Sequence, residues 1–294
     1  MSARILDGAK LAERLLSEIA SRISQVTRKR GFPATLAIVS IGENAGARLH
    51  IQRLRASCSK VSVASRRVDL PADISESEAL RTLQSLGQDN SIDGIILETP
   101  LPTQIRHDQL LGRLPPEKDV ECLTPSNYGR LFTSKNLEDI RSLGAFIPTT
   151  PHAILELLLE SGACSPGMEA VVLGRSSVVG RPAAHILSCL DCTVTLCHSK
   201  TRNLTAHLRR ADILITAVGK PGFIQGADIK PGAVVLDAGI AYKGSRVCGD
   251  ADSKSIGEAA GWVTPVPGGV GPVTTALLIK NVVAAAERGL DLAQ

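Results

Sequence analysis

The sequence predicts an α/β fold with two domains. Three observations support this prediction: a length of 294 residues, a composition with 44% hydrophobic and 21% charged residues, and an alternation of helical and strand-like segments along the whole chain. The length suffices for two domains of ordinary size, and the composition excludes a disordered chain. The alternation is typical of parallel sheets with helices on their faces.

The composition also excludes some functions. Aromatic residues make up 2% of the chain and the net charge is +4, which argues against a nucleic-acid partner that depends on stacking or on a basic surface. The N-terminus lacks the apolar region of a signal peptide, and we find no run of about 18 apolar residues for a membrane span. The seven cysteines are scattered without a zinc spacing. We therefore expect a cytoplasmic protein with free thiols, no membrane partner and no metal.

The first half of the chain shows a β-α-β-α-β rhythm after an opening helix. Apolar residues at three- and four-residue spacing predict helices, and short β-branched runs predict buried strands. The predicted elements are a helix over 8–29, a strand over 35–41, a helix over 44–60, a strand over 62–70, a helix over 75–87 opened by Ser75, and a strand over 93–99. Residues 124–150 have no strong period and are expected to form an inter-domain passage.

The second half repeats the alternation. A helix is predicted over 148–162, and four strands are predicted in EAVVLG, CTVTLCH, DILITAV and AVVLDAG, with a helix from Gly180 and a long helix over 274–290. We expect residues 1–140, joined by the returning helix 274–294, to form a substrate domain. Residues 141–273 are then a nucleotide-binding domain with a Rossmann-like fold.

The stretch AVVLGRSSVVGRP (170–182) is the most informative motif. An apolar strand runs into Gly174, a polar loop follows, and Gly180 opens a helix. Glycines let backbone N–H groups approach a phosphate, and the helix N-terminus favours an anion. The spacing departs from the general GxGxxG fingerprint, so a purely structural connector is the alternative interpretation.

The next strand end indicates the type of nucleotide. TVTLCHSKT offers His198, Ser199 and Lys200, whereas an acidic residue there would suit the free 2′-hydroxyl of NAD. Basic and hydroxyl groups, with Arg175 nearby in such folds, favour the 2′-phosphate of NADP. A solvated strand end is the alternative. The third strand ends at Gly219, a common way to bring backbone against a nucleotide.

These segments together resemble the methylenetetrahydrofolate dehydrogenase/cyclohydrolase family. The matching words include GRSSVVGRP, TVTLCHSKT, ADILITAVGKPGFI, LDAGI, GDAD and TPVPGGVGPVTTALL, with weaker matches across the first half. The resemblance implies two domains around a cleft, pairing as a homodimer, and hydride transfer from 5,10-methylenetetrahydrofolate to NADP⁺. It also implies a second activity that hydrolyses the methenyl product.

The resemblance assigns roles to particular positions. It places the cofactor against Gly174, Arg175, Ser176, Ser199, Gly219 and Ile240. It places the substrate against Leu54, Pro100, Pro267, Gly268 and Gly269.

The folate half departs from the family pattern where chemistry is expected. The family's tyrosine is His50, its lysine is Leu54, its glutamine is Glu98 and its aspartate is Glu121, while a neighbouring glycine is Cys122. The lysine assists hydrolysis in the family, and leucine carries no charge or proton. We therefore expect weak or absent cyclohydrolase activity.

The altered positions also bring new acid–base groups. Two close carboxylates should raise one pKa, and histidine is a natural proton shuttle. We therefore expect His50, Glu98 and Glu121 to be the catalytic groups. The alternative interpretation is that His50 and Glu98 are surface residues that have diverged from the family pattern without a functional role.

Two other functions fit the sequence. The chain could be a diverged NAD(P)-dependent enzyme that acts on another N-heterocyclic or amine substrate in specialised metabolism. It could also be a non-catalytic NADP-binding protein. The intact nucleotide motifs beside an altered pocket argue against simple decay, which would erode both halves.

Overall fold

The computed structural model describes residues 2–144, 146–243 and 246–291. The α-helices are Gly8–Arg30 (α1), Ala45–Lys60 (α2), Glu76–Gln88 (α3), His107–Leu111 (α4), Pro125–Phe132 (α5), Leu137–Ser142 (α6), Thr149–Ser161 (α7), Gly180–Ser188 (α8), Leu204–Leu208 (α9), Ser253–Ala259 (α10) and Val270–Asp291 (α11). The strands are Arg4–Ile5 (β1), Thr35–Ile41 (β2), Ala64–Leu70 (β3), Gly94–Leu97 (β4), Glu169–Leu173 (β5), Thr193–Cys197 (β6), Ile213–Thr216 (β7), Val234–Asp237 (β8), Ala241–Lys243 (β9), Arg246–Cys248 (β10) and Trp262–Val263 (β11).

Parallel sheets confirm the predicted α/β class. One sheet has the strand order β3-β2-β4, and a larger sheet has the order β1-β11-β8-β7-β5-β6. Every pairing within these two sheets is parallel, whereas β9 and β10 pair antiparallel. The central strand β2 is buried along almost its whole length, which explains why its sequence is a continuous apolar run.

The chain divides into two compact units. Residues 14–130 with 275–291 form one (the 14–130 unit), and residues 2–13 with 131–274 form the other (the 131–274 unit). Relative to the expected boundaries, residues 2–13, 131–140 and 274 lie in the other unit. The reason for the first shift is that β1 pairs with β11, and Ala3 N donates to Gly257 O at 2.8 Å. The predicted domains also include residues 1, 145, 244, 245 and 292–294, which lie outside the described residues.

Helix α11 packs into the 14–130 unit. Asn281 Nδ2 donates to Val120 O at 2.8 Å, and Arg22 Nε donates to Glu287 Oε1 at 2.8 Å. The helix begins at Val270, four residues earlier than predicted. By length and composition, Val270–Leu290 is apolar enough to cross a membrane, although 61% of its most apolar window is buried within the protein. That burial is typical of a core helix.

The region 124–150, expected to be an inter-domain passage, contains the boundary between the two units after Arg130 but is largely helical. This region contains α5 and α6 and the start of α7. Helix α6 has only six residues, so it is too short for a periodic pattern. Its start is nevertheless marked locally, because the Asn136 side chain accepts from Asp139 N at 2.9 Å.

Helix α3 begins with a capping box at Ser75, the residue that was expected to open it. Ser75 Oγ accepts from Glu78 N at 3.3 Å, and Ser75 N donates to Glu78 Oε2 at 3.2 Å. We expect Ser75→Ala to lower the free energy of unfolding by about 1 kcal/mol, measured by urea denaturation. Ser59→Ala, at an exposed position of α2, is the control and should change stability by less than about 0.5 kcal/mol. An equal effect of both substitutions would contradict this role of the cap.

Candidate active site

His50, Glu98 and Glu121 come together within the 14–130 unit. His50 lies on α2, Glu98 directly follows β4, and Glu121 follows Val120 in the next loop. His50 Nδ1 lies 2.9 Å from Glu98 Oε1 and 3.1 Å from Oε2, so the ring N–H donates to the carboxylate. The side chain of Glu98 is 8% exposed, whereas that of His50 is 56% exposed. His50 is therefore anchored through one nitrogen and open to solvent on its other side.

The electrostatic interactions among the three groups suit proton transfer. The hydrogen bond to Glu98 raises the pKa of His50, with a smaller contribution from the charge of Glu121. Burial, together with the neighbouring carboxylates of Glu98 and Asp119, raises the pKa of Glu121 to about 8. At neutral pH the arrangement favours a protonated Glu121 carboxyl beside the hydrogen-bonded His50–Glu98 pair. A proton donor and a proton shuttle are then available together.

The loop that carries Glu121 is held by a residue that the sequence analysis missed. Asp119 is 1% exposed and accepts from Leu123 N at 3.0 Å and Thr124 N at 2.8 Å. Cys122 lies between them with φ +57°, a backbone conformation that favours glycine. This explains why the family pattern has glycine at that position. The two acidic residues Asp119 and Glu121 in the segment KDVECLTP were the sequence signal that could have identified Asp119.

Leu54 and Pro100 have different surroundings. Pro100 is exposed and follows Thr99 through a cis peptide bond. Leu54 lies one helical turn after His50 but is 1% exposed, so its side chain belongs to the core. The structure gives no support to Leu54 as a substrate contact, because so little of its surface is free. Its burial agrees with a role in packing α2.

The loop after β5 is built for an anion. A Cβ at Gly180 would collide with the carbonyl oxygen of Gly174, so the start of α8 packs directly on the strand end. Ser176 Oγ accepts from Val179 N at 3.1 Å, which fixes the turn. The four backbone N–H groups of 175–178 have no acceptor among the described residues, and these four residues are exposed. Free N–H groups before a helix N-terminus fit a phosphate.

The neighbouring strand ends complete this edge of the larger sheet. Ser199 follows β6 and is exposed, and the nearby His198 N donates to Thr201 Oγ1 at 2.8 Å. Gly219 follows β7 with φ +68°, and Ile240 follows β8 with 63% of its surface exposed. The carboxyl ends of parallel strands are where such folds bind nucleotides. Ser199, Gly219 and the exposed Ile240 therefore lie on the same sheet edge as the loop after β5.

The glycine-rich loop before α11 lies on the start of α1, within the 131–274 unit. Pro267 is exposed and follows Val266 through a cis peptide bond, and Gly268 has φ +108°. Ala9 N donates to Gly268 O at 3.1 Å, and a Cβ at Gly8 would collide with Gly269 O. Gly8 is thus a further constrained position that the sequence analysis did not single out, although ILDGAKLA contains it.

A cavity elsewhere in the 131–274 unit contains none of the predicted site residues. It has a volume of about 550 Å³ and is lined by residues of β1 and α10, with Asp237 and Thr264. Among the described residues, no group of three His, Cys, Asp or Glu side chains is arranged to hold a metal ion.

Comparison with known families gives two matches that together span most of the chain. Residues 6–121 match the catalytic domain of tetrahydrofolate dehydrogenase/cyclohydrolase, and residues 148–290 match its NAD(P)-binding domain. Among curated proteins, the bifunctional protein FolD of Azoarcus sp. is 42% identical over 293 residues, covering 98% of each chain. FolD of Moorella thermoacetica is 41% identical over 289 residues, covering 98% of this chain and all of that one.

Solved structures agree with this assignment. The bifunctional FolD of Campylobacter jejuni superposes with a TM-score of 0.91 at 31% identity, covering 98% of this chain and 99% of that one. The Trypanosoma brucei enzyme, solved with NADP cofactor and an inhibitor, gives a TM-score of 0.92 at 30% identity, covering 99% of each chain. The fold, the strand-end loops and the full-length sequence similarity together show that this chain belongs to the tetrahydrofolate dehydrogenase/cyclohydrolase family.

Proposed function

We propose that this protein oxidises 5,10-methylenetetrahydrofolate with NADP⁺, giving the methenyl compound and NADPH. The main observation in support of this proposal is the loop 175–178, which has four free backbone N–H groups at the carboxyl edge of a parallel sheet. Relatives covering the whole chain are FolD enzymes, and one related structure holds NADP. NADP⁺ supplies the hydride acceptor. The protein binds and orients the two reactants.

The 131–274 unit supplies the cofactor site in this proposal. Gly174 and Ser176 shape the phosphate loop, while Arg175 and Ser199 bind the 2′-phosphate, because both are exposed at neighbouring strand ends. Gly219 and Ile240 form the face beyond them. The end of β6 carries no acidic side chain that would repel a 2′-phosphate, since His198, Ser199 and Lys200 occupy it.

The 14–130 unit supplies the folate site and the acid–base groups. Glu121 holds a proton at neutral pH and can donate it, and His50 relays protons between its free nitrogen and solvent. Hydrolysis in the family draws on a cation, and Leu54 offers none at that position. The dehydrogenase reaction does not depend on that cation, because it needs positioning of the two reactants rather than proton transfer at the reacting carbon. We therefore propose that cyclohydrolase activity is weak.

A coupled assay tests both halves of this proposal. Purified protein is mixed with methylenetetrahydrofolate and NADP⁺, and NADPH and the methenyl compound are followed at separate wavelengths. We expect NADPH to form and the methenyl compound to accumulate with it. The absence of hydride transfer would contradict the dehydrogenase assignment, and rapid loss of the methenyl signal beyond its spontaneous hydrolysis would contradict weak cyclohydrolase activity. NAD⁺ in place of NADP⁺ is the control, with an expected affinity at least about tenfold lower.

The altered charges of this site favour one alternative substrate class. Glu98 stands where the family has glutamine and Leu54 where it has lysine, so the site is less positive than the family pattern, and a cationic or neutral N-heterocycle or amine is a second candidate substrate. Such compounds would be oxidised with NADP⁺ in the same assay while methylenetetrahydrofolate is not. A non-catalytic NADP-binding role would instead give cofactor binding without turnover of either class. The family-wide similarity of the chain does not favour these alternatives.

The resemblance also suggests a homodimer in the cytoplasm. All seven cysteines are free thiols in the structure, which suits a reducing compartment. One of the two edge strands of the larger sheet, β6, is available for pairing, and its Leu196 is 36% exposed.

A further inference from the structure

Two buried aspartates lie beneath the edge of the larger sheet that is formed by the carboxyl ends of its strands. Asp237 is the last residue of β8 and is 3% exposed, and Asp250 follows β10 and is fully buried. They are joined directly, because Asp250 N donates to Asp237 Oδ1 at 3.1 Å. Neither was singled out as a site residue, although LDAGI and GDAD contain them. Neither carboxylate has a cationic partner among the described residues, and buried carboxylates of this kind call for an explanation.

Asp250 holds the loop that contains Gly219. Its Oδ1 accepts from Lys220 N at 2.6 Å, and its Oδ2 accepts from Val218 N at 2.7 Å and Thr216 Oγ1 at 2.9 Å. The two backbone donors are the immediate neighbours of Gly219 on either side. The Asp250 carboxylate therefore holds the backbone on both sides of the exposed Gly219. Its position determines how far that loop extends from the sheet.

Asp237 holds the loop that contains Ile240. Its Oδ1 accepts from Gly239 N at 2.9 Å, and its Oδ2 accepts from Ala251 N at 2.8 Å. A Cβ at Gly239 would collide with the Asp250 carboxylate. The backbone that carries Ile240 thus lies directly on both acids. The two carboxylates brace the loops after β7 and β8 against each other.

A need to hold a ligand-binding surface in place explains these hydrogen bonds better than a contribution to stability alone. Ile240 is a large apolar residue with 63% of its surface exposed. The residue before it, Gly239, is held by the hydrogen bond from its backbone N–H to Asp237. Burying two carboxylates is costly, and the same loops could be closed by apolar side chains at lower cost. Rigid loops lower the ordering cost of binding, because the face exists before the ligand arrives.

We propose that Asp237 and Asp250 are positioning residues of the cofactor site, which hold Gly219 and Ile240 at the spacing that NADP⁺ requires. This inference rests on the cofactor site assigned under the proposed function. Neither acid touches the cofactor. Their effect is transmitted through the backbone N–H groups of Val218, Lys220 and Gly239.

Asp250→Asn is the direct test. Asparagine keeps the shape but has one acceptor oxygen, so at least one of the donors at 216, 218 and 220 must face an NH₂ group. We expect the Kd for NADP⁺, measured by titration calorimetry without substrate, to rise about tenfold. The KM for NADP⁺ should rise in parallel, while the KM for methylenetetrahydrofolate changes less than about twofold.

Asp252→Asn is the matched control, two residues further along. The Asp252 side chain caps α10 through Ser255 N at 2.9 Å and does not touch the two loops, so NADP⁺ affinity should stay within about twofold of the parent. An unchanged Kd in folded Asp250→Asn would overturn the inference. If that variant does not fold, Asp237→Asn tests the other acid, because one of the donors at Gly239 N and Ala251 N must then face an NH₂ group, and an unchanged Kd there has the same meaning. Failure of the parent to bind NADP⁺ would instead overturn the proposed cofactor site.

Discussion

Replacing Gly180 with alanine is expected to weaken NADP⁺ binding by at least about 100-fold. The added Cβ would collide with the backbone carbonyl oxygen of Gly174, and backbone cannot move aside as a flexible side chain can. The turn 174–180 must therefore open, and the free N–H groups of 175–178 lose their common orientation. Those groups carry the phosphate site in our proposal, so binding should suffer more than the fold.

Titration calorimetry with NADP⁺ measures this effect, and urea denaturation measures the accompanying change in stability. Gly257→Ala is the matched control, because Gly257 is also a helical glycine but has open space where the Cβ would stand. It should bind NADP⁺ normally and gain up to about 1 kcal/mol in stability, since alanine is the better helix former. Parent-like affinity in Gly180→Ala would show that the 174–180 turn does not form the phosphate site.

The elements that sequence predicted well are those in which local pattern and tertiary packing agree. Helix α1 was expected over 8–29 and is found over Gly8–Arg30, because its stripe of Leu11, Leu15, Ile19 and Ile23 is buried. The buried parallel strands follow the same logic. Helices α5 and α6 escaped prediction because eight and six residues hold too few turns for a period to show.

The candidate site was predictable only in part. The nucleotide edge followed from strand ends, since the loops after parallel strands meet on one edge. The His50–Glu98 contact joins residues 48 positions apart, and no local pattern reports it. Leu54 shows the limit most clearly. One helical turn separates it from His50, yet the rotation of α2 on its sheet buries it. That rotation is set by packing rather than by sequence spacing.

The pKa of Glu121 leads to the second large effect. Its value is 4.5 in a model peptide and about 8 in the folded protein, so the folded state binds this proton more tightly than the unfolded state. The stability that this proton contributes is fully present below pH 4.5 and is lost as the pH rises through 8. Glu121→Gln removes the ionisation. We expect the variant to become more stable than the parent at pH 9 by about 2–3 kcal/mol, allowing for solvent at this half-buried site.

Urea denaturation at pH 5, 7 and 9 measures the difference between variant and parent, in which titrations of other groups largely cancel. Glu117→Gln, at an exposed position in the same segment, is the control and should give a nearly constant difference. If the Glu121→Gln difference also stays constant across this range, Glu121 ionises as it does in the unfolded chain. It would then be charged at neutral pH, and the cluster would have a shuttle in His50 but no proton to donate. The pH dependence of stability thus decides a question of mechanism without any measurement of turnover.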